Sequence, residues 1–213
     1  MTQVKICGLN DAAGFDAAVA AAADMVGFVF YPPSPRAVTP AQAAALSARH
    51  AGGPLRVGLL VNATDAEIAA ILAALPLDLL QLHGEETPAR AAELRQRFGL
   101  PVMKALGIAE AADLAQLDAF APVVDRFLLD AKPPPGASLP GGNAASFDWT
   151  LLAGRSLPRP WLLAGGLTVE NVGQAIALSG APGVDVSSGV ERGRGVKDPA
   201  RIAAFIQAAR AAG

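Results

Sequence analysis

Two residues of this sequence could transfer protons in a reaction. Cys7 is the single cysteine and lies in the apolar run 4–8, whereas Asp130 lies near the end of the later apolar run 126–131. If both runs are strands of one closed barrel, both side chains point into the same mouth. A thiolate there could act as a base where cations or dipoles favour its ionisation, and a carboxylic acid kept protonated by burial could act as an acid.

Both residues also have a structural explanation. A free cysteine is often an inert thiol of the core, and Asp130 could cap a helix or pair with a cation. Gly8 follows Cys7 directly and ends the run, which places the thiol near the mouth of the barrel. Lys5 shares the strand face of Cys7 one step deeper, and we expect it to pair with a carboxylate of the barrel rather than to act in catalysis.

A group of glycines and serines predicts a phosphate site. Gly165 and Gly166 end the seventh apolar run, and Ser187, Ser188 and Gly189 end the eighth. Glycines let backbone N–H groups approach an anion closely, and serine hydroxyls add donors. The loops after the last two strands are the usual phosphate site of an eight-stranded barrel. The alternative is that the glycines only turn the chain.

Four further polar residues are predicted to contact a substrate. Arg36 lies in the proline-rich loop 31–36, where a fixed guanidinium could bind a carboxylate. Gln81 and His83 share one strand face, and such a pair can either orient a substrate or satisfy its own hydrogen bonds. Asp185 lies in the eighth run. No cluster has the spacing of metal ligands and no dinucleotide fingerprint follows a strand, so we expect neither a metal nor a cofactor.

These residues must be positioned by a regular series of elements. Continuous apolar runs typical of buried parallel strands occur at Val4–Gly8, Met25–Phe30, Arg56–Val61, Leu77–His83, Pro101–Leu106, Arg126–Ala131, Trp161–Gly165 and Val184–Ser187. Helical segments separate them, and their start signals are Thr39-Pro40, Thr64 with Glu67, Thr87-Pro88, Thr168 and Asp198-Pro199, with Gly180 as a stop signal. The alternation predicts an α/β protein with a single (β/α)8 TIM barrel over residues 1–213.

The weakest helical segment follows the sixth run. The stretch from Lys132 to Asn143 is rich in proline and glycine, and a loop of this length inside a compact domain is usually functional or disordered. Prolines stiffen its base and glycines free its tip. We therefore interpret the segment from about Pro133 to Ser146 as a lid over the active site, with a plain surface loop as the alternative.

Charge and composition exclude several classes of protein. The formal net charge is −2 and no basic cluster is present, which argues against a nucleic-acid partner. The 52% of hydrophobic residues supply a large core. The most apolar window, 17–31, changes from a helical to a strand pattern, so we expect no membrane span. Without a visible targeting segment, and with one cysteine, the chain is expected to be cytoplasmic.

Taken together, the motifs resemble those of the phosphoribosylanthranilate isomerase family. They are Lys5-Ile6-Cys7-Gly8, Gln81-Leu82-His83-Gly84, Phe127-Leu128-Leu129-Asp130, Phe147-Asp148-Trp149, Ala164-Gly165-Gly166-Leu167, the run Asp185 to Glu191 and Gly195-Val196-Lys197-Asp198. Each motif alone is weak, but their order and spacing across nearly the whole chain are specific. One motif departs from the family, since the lid usually reads Gly-Gly-Thr-Gly and here reads Gly141-Gly142-Asn143-Ala144.

The resemblance implies an enzyme of tryptophan biosynthesis that is a monomer or a homodimer and needs no cofactor. It implies that Cys7 is the general base, that Asp130 is the general acid and that Arg36 binds the anthranilate carboxylate of a phosphoribosyl substrate. Two rival functions remain. A related isomerase of histidine biosynthesis would be expected to place aspartates at both proton-transfer positions, which Cys7 contradicts. A silent phosphate-ligand binder would not explain the positions of Cys7 and Asp130.

Overall fold

Eight parallel strands close into a barrel in the order in which they occur along the chain. The computed structural model describes residues 1–133, 136, 141 and 146–213. The strands are β1 (Gln3–Cys7), β2 (Met25–Val29), β3 (Leu55–Leu60), β4 (Leu79–Leu82), β5 (Val102–Ile108), β6 (Arg126–Ala131), β7 (Trp161–Leu163) and β8 (Gly183–Val186). Pairing of β1 with β8 completes the barrel, so the predicted α/β class and (β/α)8 architecture are confirmed.

Helices connect the strands around the outside. They are α1 (Ala12–Ala20), α2 (Pro40–Ser47), α3 (Asp65–Ala74), α4 (Pro88–Phe98), α5 (Gln116–Phe120), α6 (Val172–Ser179) and α7 (Pro199–Ala211). Thr39, Thr64, Thr87 and Asp198 each accept a hydrogen bond from the first turn of a helix, as predicted. A short antiparallel hairpin, β9 (Glu191–Gly193) with β10 (Val196–Lys197), follows β8.

Two helical segments differ from the sequence-based expectation. Helix α6 begins at Val172 rather than at Thr168, after a turn in which the Thr168 N–H donates to the side chain of Asn171. Its predicted end at Gly180, in the left-handed conformation, is confirmed. Between β6 and β7, the described residues form one short 3₁₀ helix, Trp149–Leu152, in place of an α-helix, which fits the expectation that this helical segment is weak.

Most of the predicted lid lies outside the described residues. From the interval 133–146, the structure describes Pro133, Gly136, Gly141 and Ser146. The departure at Asn143 and Ala144 also falls outside the described part of the chain. Lid closure therefore stays a prediction, and Gly141 is the residue of this segment that can be placed relative to the cavity.

The core has two layers that are separated by the sheet. The larger layer packs the outward faces of the strands against the helices. The smaller layer fills the barrel and consists of Met25, Val57, Leu79, Met103, Ala105, Leu128, Leu162 and Ala164. Charged Lys5 lies level with this inner layer, in register with Met25 on one side and Asp185 on the other. None of the described helices is long and apolar enough to cross a bilayer.

Candidate active site

A cavity of about 810 Å³, including its open mouth, lies at the carboxyl ends of the strands. Ten of the eleven predicted site residues line it, namely Cys7, Arg36, Gln81, His83, Asp130, Gly165, Gly166, Asp185, Ser187 and Ser188. The eleventh, Gly189, is described by the structure but is not part of the cavity wall. It packs so closely against the carbonyl of Leu167 that a side chain would overlap that oxygen.

The loop after β7 presents free backbone donors. Gly165 and Gly166 have φ values of 90° and 63°, a conformation that glycine adopts without the strain of other residues. This turn ends the strand at Leu163, two residues before the predicted boundary. Among the described residues, none accepts a hydrogen bond from the N–H of Gly165 or Gly166. Two unpaired N–H groups at a cavity wall suit an anion.

The loop after β8, which contains Ser187 and Ser188, is held in place by the side chain of Lys197. Lys197 Nζ donates to the Ser187 carbonyl at 2.8 Å and to its hydroxyl oxygen at 3.2 Å. The Ser187 hydroxyl in turn donates to the Cys7 carbonyl at 3.1 Å. This chain of hydrogen bonds fixes the end of β8 against the end of β1, and it brings a buried positive charge beneath the predicted phosphate site.

The thiol of Cys7 is surrounded by charge inside the barrel. Lys5 Nζ lies 2.8 Å from Asp185 Oδ1, which confirms the expected pairing of Lys5 with a barrel carboxylate. Burial raises the pKa of the Cys7 thiol, and Lys5 and Lys197 oppose this shift while Asp185 adds to it. The net direction is upward. Two cations therefore favour ionisation of the thiol, but the effect of burial on its pKa is larger.

A chain of three polar side chains ends at the predicted acid, Asp130. Gln81 Nε2 lies 2.9 Å from His83 Nδ1, and His83 Nε2 lies 3.5 Å from Asp130 Oδ2. The backbone N–H of Ala131 donates to Asp130 Oδ1 at 2.8 Å. Both oxygens of the carboxyl group thus have a neighbour that orients it. Gly141, from the predicted lid, lines the cavity beside His83 and Asp130.

Arg36 is held by a carboxylate that the sequence analysis did not assign. Its Nε and Nη2 donate to the two oxygens of Glu191 at 2.7 and 3.1 Å. Glu191 also accepts from Lys197 Nζ at 2.9 Å and from the Gly195 N–H at 2.9 Å. Burial alone would raise the pKa of Glu191, but Arg36 and Lys197 reverse the effect and lower it. One edge of the predicted carboxylate fork is therefore occupied within the protein.

Sequence reasoning missed the roles of Glu191 and Lys197 and the apolar wall of the cavity. Both charged residues follow β8 in a chain with few charges, and burial of Lys197 would have required such a carboxylate. Glu191 lies 155 residues from Arg36 in the sequence, so no local pattern reveals that the two residues pair. The apolar wall contains Val29, Leu59, Tyr31 and Val61, which pack with Cys7.

Comparison with known proteins identifies the family. Residues 4–208 match the model of the family described as N-(5'phosphoribosyl)anthranilate (PRA) isomerase. The chain belongs to this family. Two relatives named N-(5'-phosphoribosyl)anthranilate isomerase are similar over 98% of the chain. The protein from Rhodospirillum rubrum is 59% identical, with 98% of its length covered, and that from Paracoccus denitrificans is 61% identical, with 97% covered.

Solved structures agree with this membership. The phosphoribosyl anthranilate isomerase from Thermotoga maritima is 36% identical and superimposes with a TM-score of 0.88 over 99% of this chain and 100% of the other. A second structure of the family contains reduced 1-(o-carboxyphenylamino)-1-deoxyribulose 5-phosphate. It is 34% identical, with a TM-score of 0.84 over the same shares of the two chains. The architecture inferred from the sequence is thus shared by members whose barrels have been solved.

Proposed function

We propose that this protein isomerises N-(5-phosphoribosyl)anthranilate to 1-(2-carboxyphenylamino)-1-deoxyribulose 5-phosphate, a step of tryptophan biosynthesis. The observation that carries this proposal is that Cys7 and Asp130, from the ends of β1 and β6, line one cavity. The two strands are separated by β7 and β8 around the barrel, so the base and the acid approach a substrate from different sides. Family membership supports the same reaction.

The proposed reaction only moves protons. Asp130 gives a proton to the furanose ring oxygen as the ring opens to a Schiff base. Cys7, as the thiolate, removes the proton from C2 of the sugar, and the resulting enolamine tautomerises to the ketone. No electron carrier is consumed, and the described residues contain no group of three or more metal-ligating side chains. General acid–base catalysis by two positioned groups is sufficient chemistry for this rearrangement.

Binding of the substrate is assigned to both ends of the cavity. The free N–H groups of Gly165 and Gly166, with Ser188, would bind the phosphate. Arg36 would bind the anthranilate carboxylate through the edge of its guanidinium group that does not face Glu191. Gln81 is buried, and none of the described residues donates to its Oε1, so this oxygen is available to a hydroxyl group of the substrate.

The anthranilate ring is assigned to the apolar wall of the cavity. The wall formed by Val29, Leu59 and Tyr31 suits an aromatic ring.

We also infer a cytoplasmic enzyme, because a reducing compartment keeps the single cysteine as a thiol. A monomer and a homodimer both fit, and a related structure is described as monomers generated from a dimeric enzyme of Thermotoga maritima.

A fluorescence assay tests the activity directly. Purified protein is mixed with phosphoribosylanthranilate, and loss of the substrate fluorescence is followed with and without enzyme. We expect turnover with this substrate and none with the longer phosphoribosyl substrate of the histidine-pathway isomerase. Turnover of only the longer substrate would contradict the proposal, and binding without turnover of either would favour a silent ligand binder.

The carboxylate-binding role of Arg36 predicts an effect on KM. Arg36→Met removes a charge-assisted hydrogen bond to the substrate, which typically contributes about 1.5–3 kcal/mol, so KM should rise on the order of 10- to 100-fold. The fall in kcat should be smaller, since the anchor holds the ground state and the transition state alike. Arg49→Met, which removes an exposed arginine paired with Asp16, is the matched control. An unchanged KM in Arg36→Met would refute the assignment.

The phosphate site predicts competition by inorganic phosphate. Ser188→Glu places a negative charge in the site and should raise both KM and the inhibition constant of phosphate at least about tenfold, because like charges repel at close range. The same substitution at Ser156, an exposed residue before β7 on the opposite face of the barrel, should change neither value. Equal effects of the two substitutions would place the phosphate elsewhere.

A further inference from the structure

We propose that Lys5 is a positioning residue for the base: its buried ammonium group lies close to the sulfur of Cys7 and stabilises the thiolate that proton abstraction requires. Lys5 does not line the cavity and is fully buried, so it cannot touch a substrate. It would act through Cys7 alone. The inference rests on the proposed function in one respect, namely that Cys7 is the base.

The geometry around Gly27 brings the two groups together. Gly27 on β2 is the register partner of Cys7, and it carries no side chain. A Cβ atom at this position would lie 3.0 Å from Cys7 Sγ and 3.1 Å from Lys5 Nζ. Sulfur and ammonium therefore flank the same small space, no more than about 6 Å apart, the range over which an opposite charge changes ionisation strongly.

Register explains why Lys5 keeps its charge in this apolar interior. Lys5 and Asp185 are register partners on β1 and β8. Burial lowers the pKa of Lys5, but the carboxylate of Asp185 and the nearby Cys7 outweigh burial and raise it. The group therefore remains an ammonium ion throughout the neutral and mildly alkaline range.

The charges around Cys7 come from three strands. Lys5 on β1 and Lys197 on β10 favour the thiolate, and Asp185 on β8 opposes it. Lys197 is already engaged by the carboxylate of Glu191 and by two oxygens of Ser187. Lys5 has a single oxygen partner, Asp185 Oδ1, among the described residues. Lys5 is therefore the cation with more capacity left for the sulfur.

The test uses the fact that Cys7 is the only cysteine of the chain. The ultraviolet absorbance of the thiolate is titrated against pH in wild type and in Lys5→Gln. The corresponding Cys7→Ser proteins are subtracted to remove Tyr31 and the tryptophans. The midpoint should rise by about 1–3 pH units in Lys5→Gln. Circular dichroism at each pH confirms that the barrel is folded.

Lys104→Gln is a matched control. Lys104 is also a buried lysine of the barrel and pairs with Glu86 at 2.8 Å, but it belongs to β5. Its loss removes a comparable buried ammonium group and should leave the thiol midpoint unchanged. A midpoint that is the same in Lys5→Gln as in wild type, or that moves equally in both lysine variants, would overturn the proposal.

A second variant keeps the proposal testable if Lys5→Gln does not fold or titrates beyond the accessible range. Lys5→Met combined with Asp185→Asn removes both members of the ion pair, so neither charge is left buried without its partner. Because Lys5 acts on the thiol more strongly than Asp185 does, the thiol should titrate at a higher pH than in wild type. A midpoint that is unchanged or lower would contradict a Lys5–Cys7 interaction.

The pH dependence of kcat separates this proposal from the proposed function. If Cys7 is the base, the limb of the kcat profile that rises with pH should move with the thiol midpoint. Turnover of Lys5→Gln at neutral pH should then fall at least about tenfold, with a smaller change in KM. If the midpoint moves but the limb does not, the effect of Lys5 on the thiol stands and the assignment of Cys7 as the base fails.

Discussion

Cys7→Ala should fold and bind product but lose about 10²–10⁴-fold in turnover, because a general base acts on the proton only in the transition state. KM should change much less than kcat. Steady-state kinetics on the purified variant measures both constants, and circular dichroism checks the fold. Since burial raises the pKa of the thiol above its ordinary value, wild-type kcat should still be rising with pH in the mildly alkaline range.

Cys7→Ser is the control for shape. The hydroxyl group occupies nearly the volume of the thiol but does not ionise in the working range, so this variant should be as slow as Cys7→Ala. If either folded variant kept a rate within a few-fold of wild type, another residue would have to be the base. His83 would be the next candidate, because it lines the same cavity beside Asp130.

Asp130→Asn should show a loss of the same order, about 10²–10⁴-fold in kcat. The amide has the shape of the carboxyl group and can still accept the hydrogen bond from the Ala131 N–H. It cannot donate a proton to the ring oxygen of the substrate, so the chemical step should be impaired while product binding is retained. Single-turnover kinetics with saturating enzyme measures this step without the contribution of product release.

Asp118→Asn provides the comparison for this substitution. Asp118 is exposed on α5, outside the barrel, and its loss should leave kcat and KM unchanged. His83→Gln removes the neighbour of the Asp130 carboxyl group and should lower kcat by less than Asp130→Asn does. A His83 variant slower than Asp130→Asn would show that the imidazole, rather than the carboxyl group, transfers the proton.

Sequence patterns predicted the barrel because its determinants are local. Each strand is a run of apolar residues, and each cap is an interaction over two or three residues, such as that of Thr39 with the Gln42 N–H. The strand ends then follow from the alternation, and they carry most of the site. The boundary at Thr168 was wrong: a turn, in which the Thr168 N–H donates to the Asn171 side chain, precedes the helix, which begins at Val172.

The parts that the sequence did not reveal depend on contacts between distant residues. That Lys5 would pair with a carboxylate was predictable from its buried position, but the identity of Asp185, 180 residues away, was not. The same is true of the pair between Arg36 and Glu191. The close packing of Gly189 against Leu167 likewise depends on how the loops after β7 and β8 pack together, which the residues of neither loop reveal on their own.

The pairing of Lys5 with Asp185 has a consequence for how the chain folds. β1 is made first on the ribosome, yet its partner β8 appears 180 residues later. Until then the ammonium group of Lys5 has no carboxylate beside it, and burying it alone would cost several kcal/mol, on the order of the penalty for an unpaired buried ion. This free-energy cost disfavours closure of the incomplete sheet around β1 before β8 is present. Contacts between residues that are far apart in sequence also form slowly. The barrel is therefore expected to close only once β8 has brought Asp185 next to Lys5.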